Sequence, residues 1–231
     1  MTTLLIATRN AHKVGEIRAI LSDGFNYLTL RDFPNAPAVV EDAATFAGNA
    51  TKKSVELAQW LAGRSQGASS GPMFVLADDS GLEVDALHGA PGVHSARFAA
   101  ADTQSGNSSD ADNNAKLLRL LREVPLAQRT ARFHCVLALT PVMEASSENA
   151  SPVCAANEFE LQTMLFDGVC EGHMALAPSG KGGFGYDPLF IPTGHQQSFG
   201  ELGEATKNQL SHRAKALAKL RQYFDSHLSA Q

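Results

Sequence analysis

The sequence has few cysteines, no long hydrophobic run and no excess of positive charge. Its 231 residues include only Cys135, Cys154 and Cys170, an odd number without C-x-x-C spacing. Free thiols in a reducing compartment are therefore expected, rather than a disulfide framework or a thiol metal site. The net charge of −5 and the pI of about 5.9 argue against a protein that mainly coats nucleic acid or anionic membranes.

Targeting signals and several catalytic motifs are also missing. No apolar run could span a bilayer, and the N-terminus lacks the charged and long apolar regions of a signal peptide. We therefore expect a cytoplasmic protein that binds neither membrane nor nucleic acid. The sequence contains no Walker loop, no paired histidine spacing of a zinc site and no Gly-x-Ser-x-Gly elbow. Ser80 has no recognisable histidine partner, which disfavours covalent catalysis.

Apolar periodicity predicts alternating strands and helices in the first half of the chain. The expected elements are a strand at Thr3–Ala7, a helix carrying Val14, Ile17 and Leu21, a strand around Tyr27–Leu30, an amphipathic helix at Thr45–Leu61 and a strand at Met73–Ala77. This order favours an α/β fold with a partly parallel sheet.

The second half is expected to add alternating strands and two helices. The predicted pieces are a helix at Asp112–Leu121, strands at Arg132–Leu139 and Phe159–Leu165, a hairpin insertion at Met143–Asn157, and a terminal helix that Ser211 caps and that buries Leu217, Leu220 and Phe224. Polar stretches at Gly63–Pro72 and Ala101–Ser109 are expected to be loops.

An acidic segment after the strand at Met73–Ala77 is the strongest sign of chemistry. Asp78 and Asp79 follow the apolar run directly. Ionised carboxylates are rarely buried without a partner, and open α/β sheets bind ligands beyond the carboxyl ends of their strands. We therefore expect the strand to end at this pair, with one carboxylate facing a crevice and the other bracing the turn. Such oxygen ligands suit Mg²⁺ together with substrate phosphates.

A strand-to-helix turn at Thr8–Lys13 is a candidate phosphate site. A helix N-terminus presents unpaired backbone N–H groups and a partial positive charge. Thr8 and Asn10 could add side-chain donors, and Lys13 could add a full charge. The alternative is that Asn10 only caps the helix and that Lys13 is a solvated lysine.

A glycine–aromatic loop, residues 180–188, is a candidate base site. Its glycines allow close approach of the backbone to a ligand, and Phe184 and Tyr186 could stack on a planar base. Asp187 could accept a hydrogen bond from a ring N–H. The alternative is a glycine-rich hairpin whose aromatic residues close the core.

Basic residues near the C-terminus form a third candidate. Lys207, His212 and Arg213 could donate to acceptor oxygens on a base or a phosphate. The alternative is a helix cap with exposed basic residues, which is the simpler interpretation of His212 alone. Ser95-Ala96-Arg97 offers another anion contact of low specificity.

Each segment alone is a weak signal, but the ordered set resembles the inosine/xanthosine triphosphate pyrophosphatases, which remove purine nucleotides with altered bases. The matching pieces are Thr8-x-Asn10-x-x-Lys13, Thr45-Phe46 with Asn49-Ala50, Ala77-Asp78-Asp79-Ser80-Gly81-Leu82, Gly89-x-Pro91-Gly92 with Ser95-Ala96-Arg97, Gly182–Pro188, and Lys207-Asn208 with Ser211-His212-Arg213.

The resemblance implies one domain over residues 1–231, an elongated α/β fold whose long mixed central sheet is flanked by helices, and two lobes with a cleft between them. It also implies a homodimer that requires Mg²⁺. The implied reaction hydrolyses a nucleoside triphosphate to the monophosphate and pyrophosphate.

The resemblance also assigns roles to individual residues. The triphosphate would be held by Thr8, Arg9, Asn10, Ala11, His12 and Lys13. Asp79 would be the general base and a Mg²⁺ ligand, Glu41 the second metal carboxylate, and Ser80 a substrate contact. The base would be held by Phe184, Gly185, Tyr186 and Asp187 and read by Lys207, His212 and Arg213. Hypoxanthine and xanthine present a 6-oxo acceptor, whereas the adenine amine would leave buried donors unpaired.

Two departures from the family pattern leave alternatives open. Gly48 stands where Glu is usual, and His94 stands where Tyr is common. Gly48 is the only support for a nucleotide sensor that has kept the site and lost turnover. A related pyrophosphatase acting on modified pyrimidine or standard nucleotides is a further alternative.

Overall fold

The computed structural model describes residues 1–64, 71–100, 106–143 and 158–227. Most of the predicted insertion at Met143–Asn157, parts of the predicted loops at Gly63–Pro72 and Ala101–Ser109, and Cys154 lie outside these residues. The described strands are β1 Thr3–Ile6, β2 Asn26–Thr29, β3 Met73–Val84, β4 Thr130–Pro141, β5 Met164–Met174 and β6 Phe190–Pro192. The longer helices are α1 Ala11–Leu21, α2 Phe46–Ala62, α3 Asp110–Leu120, α4 Phe199–Leu210 and α5 His212–His227.

The six strands form one mixed sheet in the order β2-β1-β3-β4-β5-β6. β1 pairs in parallel with β2 and with β3, so that Leu5 lies opposite both Leu28 and Val75. At the other end, β5 and β6 pair antiparallel. The prediction of an α/β fold with a mixed central sheet is confirmed, while the cleft between two lobes stays a prediction.

The chain divides into two compact units, each with its own hydrophobic core. Unit 1 comprises Met1–Asp79, Val136–Phe166 and Lys219–Gln231, and unit 2 comprises Ser80–Cys135 and Asp167–Ala218. The core of unit 1 includes Leu5, Leu57, Leu61, Val75 and Phe159. The core of unit 2 includes Leu82, Leu117, Phe133, Tyr186, Phe190 and Phe199. Each fully buried large apolar side chain of this kind stabilises the fold by about 1.5–3 kcal/mol.

The end of α5 closes unit 1 against the first strands and helix. Phe224 is buried and makes edge contacts with Phe25 and Phe74. The Arg221 guanidinium donates to the backbone carbonyls at the end of α1, including that of Leu21. Because the last carbonyls of a helix have no partner within it, this cation satisfies acceptors that would otherwise need water. The predicted terminal helix is confirmed.

Two elements differ from their predictions. β3 does not end at Asp78 and Asp79 but continues to Val84. Its pairing with β1 stops at Leu76, and the twelve-residue β4 is its neighbour on the other side, so the strand continues after β1 has ended. The predicted strand at Phe159–Leu165 is wrong over most of its length, because residues 158–161 form a helical turn and β5 begins only at Met164. In the turn, Phe159 is buried and Leu161 is exposed.

One helix was not predicted. α4 begins after Ser198, whose hydroxyl and backbone form a capping box with Glu201. The helix is broken at Gly203, where φ is 78° and ψ is 167°. The apolar residues after this break therefore do not continue the helical spacing of those before it. No helix among the described residues is both long and apolar enough to cross a membrane.

Candidate active site

The Thr8–Lys13 turn of unit 1 is a capped helix start. The Asn10 side-chain oxygen accepts from the backbone N–H groups of His12 (2.9 Å) and Lys13 (3.3 Å). The Asn10 N–H itself donates to the Thr8 hydroxyl at 3.2 Å. The capping alternative is thus confirmed for Asn10, although capping does not exclude a phosphate beside the turn. Arg9, Ala11 and His12 are exposed on the same turn.

Lys13 is not a solvated lysine. Its ammonium lies 2.6 Å from an oxygen of Asp78, a carboxylate that is only 1% exposed. Lys13 is itself partly buried, so a positive charge is fixed beside the capped turn at the place where β1 ends. A charge-assisted hydrogen bond of this length orients both side chains.

A second lysine, which sequence reasoning missed, joins the carboxylates of unit 1. The Lys53 ammonium donates to the Asp78 backbone carbonyl at 2.8 Å and lies 3.2 Å from the Glu41 carboxylate. It also lies 3.9 Å from Asp79. One buried cation therefore gathers Glu41 and Asp79, the two predicted metal carboxylates, around a single position.

Asn49 fixes the second oxygen of Asp79. Its amide nitrogen donates to Asp79 Oδ2 at 3.0 Å, and its amide oxygen accepts the Ala43 N–H at 2.9 Å. The side chain is 1% exposed and both of its polar ends are used. Asn49 thereby orients the carboxylate and fastens the segment that carries Glu41 onto α2. We call Lys13, Glu41, Asn49, Lys53, Asp78 and Asp79 the charged cluster.

The position of Asn49 and Lys53 on α2 was a signal in the sequence. Phe46, Ala50 and Leu57 form the apolar stripe that buries the helix. Asn49 and Lys53 lie at the i+3 and i+7 positions from Phe46 and so belong to that same face. A polar residue on a buried stripe requires a partner, and here both residues have partners on β3.

The environment of Asp79 raises its pKa. Burial is the largest cause, because it disfavours the charged carboxylate, and the negative charge of Glu41 adds to the rise. Lys53, Lys13 and the hydrogen bond from Asn49 act in the opposite direction without cancelling it. A carboxylate with a raised pKa accepts a proton more readily than an ordinary Asp, as a general base must.

The donors of the charged cluster suit a hard divalent cation such as Mg²⁺. Glu41 and Asp79 offer hard oxygen ligands, and both already contact a cation, the Lys53 ammonium. Among the described residues, no group of three or more His, Cys, Asp or Glu side chains could hold a metal by itself. Mg²⁺ is commonly bound by one or two carboxylates, with waters and substrate phosphates completing its shell, so two carboxylates are enough.

Gly48 adjoins the charged cluster through backbone packing. A Cβ at this position would lie 2.8 Å from the Ala43 Cβ and 3.2 Å from the Thr45 hydroxyl. Thr45 caps α2 by accepting the Gly48 N–H at 3.0 Å. A Glu at position 48 would therefore require the segment around Ala43 to shift.

In unit 2, Arg213 and His212 are buried at the start of α5. Arg213 is 1% exposed and donates to the Ser80 hydroxyl at 2.9 Å. His212 is 5% exposed, and its ring stacks on Phe133 with centroids 4.8 Å apart. The alternative of exposed basic residues is wrong for both. Ser211 caps this turn, as predicted, by accepting the Ala214 N–H.

Lys207 and Asp187 form a buried ion pair in unit 2. Their atoms lie 2.6 Å apart, and neither side chain is more than 3% exposed. Asp187 also accepts the Phe184 N–H at 2.8 Å. Gly183 must be glycine here, because its φ is 76° and a Cβ would lie 2.1 Å from the Asp187 carboxylate. In this structure Asp187 orients Lys207 and the loop backbone, and its expected contact with a base stays a prediction.

The two aromatic residues of the glycine–aromatic loop have different surroundings. Tyr186 is 4% exposed and donates its hydroxyl proton to the Ser95 carbonyl at 2.9 Å, so it closes the core. Phe184 is only partly buried, and the Lys207 ammonium lies 4.3 Å from its ring centroid. Phe184 is therefore the aromatic side chain of this loop that stays partly accessible.

The Ser95-Ala96-Arg97 segment is held in place through Ser95, and His94 lies just before it. The Ser95 hydroxyl donates to the Gly92 carbonyl at 2.6 Å and accepts the Leu82 N–H at 2.9 Å. The Ser95 hydroxyl thus fastens the segment to β3, and both of its described hydrogen bonds are made within the protein rather than to an anion. His94, the departure from the family pattern, is exposed.

Comparison with known proteins places these residues in a family context. A sequence model described as the Ham1 family matches residues 4–223. The dITP/XTP pyrophosphatase of Geobacillus kaustophilus is 45% identical over 221 residues, which cover 95% of this chain and 93% of that protein. The dITP/XTP pyrophosphatase of Lactiplantibacillus plantarum is 43% identical over 224 residues, covering 96% and 95%. A HAM1 protein structure from Coxiella burnetii has a TM-score of 0.73 and 34% identity, covering 98% of this chain and 100% of its own.

Proposed function

Since this chain belongs to the Ham1 family, we propose that it hydrolyses nonstandard purine nucleoside triphosphates, namely dITP, ITP and XTP, to the nucleoside monophosphate and pyrophosphate. It is a hydrolase that acts on nucleoside triphosphates, and the predicted family resemblance is confirmed. The single observation that carries the proposal is the charged cluster, in which Lys53 gathers Glu41 and Asp79 while Lys13 pairs with Asp78.

In the proposed reaction, Asp79 is the general base. In the proposed step, water attacks the α-phosphorus and the bond from that phosphorus to the bridging oxygen breaks, so that pyrophosphate leaves. Asp79 takes the proton of the attacking water, which its raised pKa favours. Asn49 and Lys53 hold the carboxylate in one orientation, so little rearrangement precedes the proton transfer.

The residues near the Thr8–Lys13 turn bind the triphosphate in this proposal. Lys13 supplies a cation, and the capped start of α1 supplies the positive end of a helix dipole. Thr8, Arg9, Ala11 and His12 surround the same turn. Glu41 and Asp79 would hold Mg²⁺, which when bound would neutralise charge on the phosphate oxygens. Phosphoryl transfer depends mainly on such positioning and charge neutralisation.

The residues of unit 2 recognise the base in this proposal. Phe184 stacks on the purine, and Lys207, His212 and Arg213 supply donors for the 6-oxo group of hypoxanthine or xanthine. Burial gives these donors their selectivity, because adenine would present an amine donor to them and leave them unpaired. Ser80, which accepts from Arg213, would contact the substrate and orient the guanidinium. Guanine also has a 6-oxo group, so its rejection depends on its 2-amino group.

Pyrophosphate release from ITP, XTP, dITP, ATP and GTP, each with Mg²⁺ and with chelator, tests this function. Fast, metal-dependent release confined to ITP, XTP and dITP is the expected result. Binding of ITP without release would replace the enzyme with the sensor, and preference for ATP or GTP would replace the proposed substrates. The homodimer and the cytoplasmic location stay predictions, which sedimentation and cell fractionation can test.

A further inference from the structure

We propose that α3 positions the stacking ring of the base site, with Asp110 and Asn114 as positioning residues that act through Phe184. This inference rests on the proposed function, because it assigns a role in base recognition. Neither residue belongs to the segments that carried the family resemblance, and neither is in the charged cluster. The inference adds a determinant of specificity outside those segments.

Both residues hold the same glycine. The Gly185 N–H donates to Asp110 Oδ2 at 2.6 Å, and the Asn114 amide donates to the Gly185 carbonyl at 2.9 Å. Residues four apart lie above one another on one face of a helix, so Asp110 and Asn114 offer an acceptor and a donor with matching spacing. Gly185 is thus held through both of its backbone polar groups.

Gly185 controls the direction of Phe184. Its φ is 61°, a conformation that side chains other than glycine rarely adopt, and it lies between the two aromatic residues of the loop. The Phe184 N–H is fixed by Asp187, and the Tyr186 hydroxyl is fixed by Ser95. Gly185 itself is held from α3 at both its N–H and its carbonyl, while the Phe184 carbonyl accepts the Asp187 N–H at 3.2 Å. Without the two bonds from α3, the loop loses its attachment at the flexible glycine that follows Phe184.

Asn114 keeps this contact although half of its amide is unpaired. Among the described residues, its buried side-chain oxygen has no hydrogen-bond partner. A buried polar atom without a partner costs free energy, so a simple packing role would be better served by an apolar residue. The amide donor toward Gly185 is what this side chain provides.

α3 is itself held in place by hydrogen bonds and by packing in the core of unit 2. The buried Asn113 accepts the Ala99 N–H at 2.8 Å, and Lys116 donates to the Phe98 carbonyl at 2.7 Å. Leu117 is fully buried in the core of unit 2. Ser109 caps the helix by accepting the Asp112 N–H at 3.1 Å. The bonds to Gly185 therefore tie the loop to a fixed helix rather than to another loop.

The chain offers a matched control for the test. Asp110 and Asp112 are both exposed acidic residues in the first turn of α3 and both favour its dipole, but only Asp110 is bonded to the loop. Asp110→Ala and Asp112→Ala thus remove the same charge from the same helix end. Asp110→Asn keeps an oxygen that can accept the Gly185 N–H and serves as the conservative variant.

The experiment compares KM for ITP with inhibition by inorganic triphosphate, a probe that has no base. For Asp110→Ala we expect KM for ITP to rise about tenfold, the size of one lost hydrogen bond to a charged group. Inhibition by inorganic triphosphate should be unchanged. Asp112→Ala should stay within about twofold of the wild type, and Asp110→Asn should recover most of the loss. In a Phe184→Ala background, Asp110→Ala should raise KM for ITP by less than about twofold further, because both changes remove the same interaction with the base.

Hydrogen exchange of a peptide covering residues 184–186 gives a readout without nucleotide. Asp110→Ala should speed this exchange and Asp112→Ala should not. The inference would be overturned if Asp110→Ala and Asp112→Ala changed KM for ITP equally. It would also be overturned if Asp110→Ala raised KM as much in the Phe184→Ala background as in the wild type, or if it weakened triphosphate inhibition as much as it raised KM for ITP. A wild-type protein that releases no pyrophosphate from any nucleotide would reject the proposed function, and the inference with it. If the wild-type protein turns over ITP but the Asp110 and Asp112 variants behave identically, the inference alone is rejected and the proposed function stands.

Discussion

The two units of this chain use charged side chains in different ways. In unit 1, the carboxylates of Glu41 and Asp79 share one lysine, and Asp79 keeps a raised pKa. In unit 2, Asp187 is matched to Lys207 in a closed, buried pair. Two carboxylates of unit 1 thus share one cation, which matches the metal and proton roles proposed for them, whereas the Asp187 carboxylate of unit 2 has a cation of its own.

This difference suggests a division of labour. Residues that must change protonation state or bind a metal are held in a strained electrostatic balance, as in the charged cluster. Residues that must discriminate between bases are better held rigid, since discrimination depends on donors that cannot adjust to the wrong partner. The predictions below test this division, beginning with the largest expected effect.

Asp79→Asn should abolish most turnover while leaving the protein folded and able to bind nucleotide. The amide cannot accept the proton of water, so kcat should fall about 10²–10⁴-fold. Measuring pyrophosphate release and nucleotide binding separately checks both parts. Asp85→Asn is the control, because it removes an exposed carboxylate paired with Arg132 and should leave turnover nearly unchanged. Near-normal turnover in Asp79→Asn would remove Asp79 as the base.

Lys207→Met should lower the free energy of unfolding by about 3 kcal/mol, because it leaves the Asp187 carboxylate buried without its cation. The double variant Asp187→Asn with Lys207→Met should recover part of the loss. Chemical denaturation measures all three proteins. Lys215→Met, which affects an exposed lysine bonded to the Val169 carbonyl, should cost about 1 kcal/mol at most. Equal losses for the two lysines would show that the buried pair does not stabilise unit 2.

Arg213→Ala should weaken the preference for ITP over ATP by about tenfold or more, since a buried donor matched to the 6-oxo group is lost. Arg213→Lys keeps the positive charge but should recover only part of the preference for ITP. An ammonium does not reproduce the planar guanidinium that donates to Ser80. The ratio of kcat/KM for the two nucleotides measures the effect. An unchanged ratio would place base discrimination elsewhere.

The same Asp79→Asn variant should stabilise the metal-free protein slightly at neutral pH. Burial raises the pKa of Asp79 in the folded state, so ionising this carboxylate costs stability once the pH exceeds that pKa. The uncharged Asn avoids the cost, and with chelator present we expect Tm at pH 7 to rise by about 2 °C. The difference from the wild type should shrink as the pH falls and Asp79 becomes protonated. A difference that grows toward acid would contradict the sign of the pKa shift.

The sequence predicted the sheet class and the helix caps at Asn10 and Ser211. It misplaced the end of β3, because apolar patterning near Asp78 could not reveal that β4 continues alongside after β1 ends. It also assigned a strand where residues 158–161 form a helical turn, since short alternating patterns do not distinguish the two.

Partners distant in sequence were harder to predict than residue types. Lys53 was missed, and Asn49 was noted within a matching segment but given no role, although both lie on the buried stripe of α2. Their partners on β3 are known only from the fold. Tyr186 was expected to face a base, but its hydroxyl reaches the Ser95 carbonyl across 91 positions. The resemblance is confirmed at the level of the family, and the structure shows which residues of its segments bond within the fold.

The most direct test of the division of labour is the ratio of kcat/KM for ITP to that for ATP in Asn49→Ala and in Arg213→Ala. Asn49 bonds to Asp79 and to the Ala43 N–H, both in unit 1, so its loss should slow both substrates about equally and leave the ratio within about twofold of the wild type. Arg213→Ala should lower the ratio about tenfold or more. A larger change of ratio in Asn49→Ala than in Arg213→Ala would contradict the account.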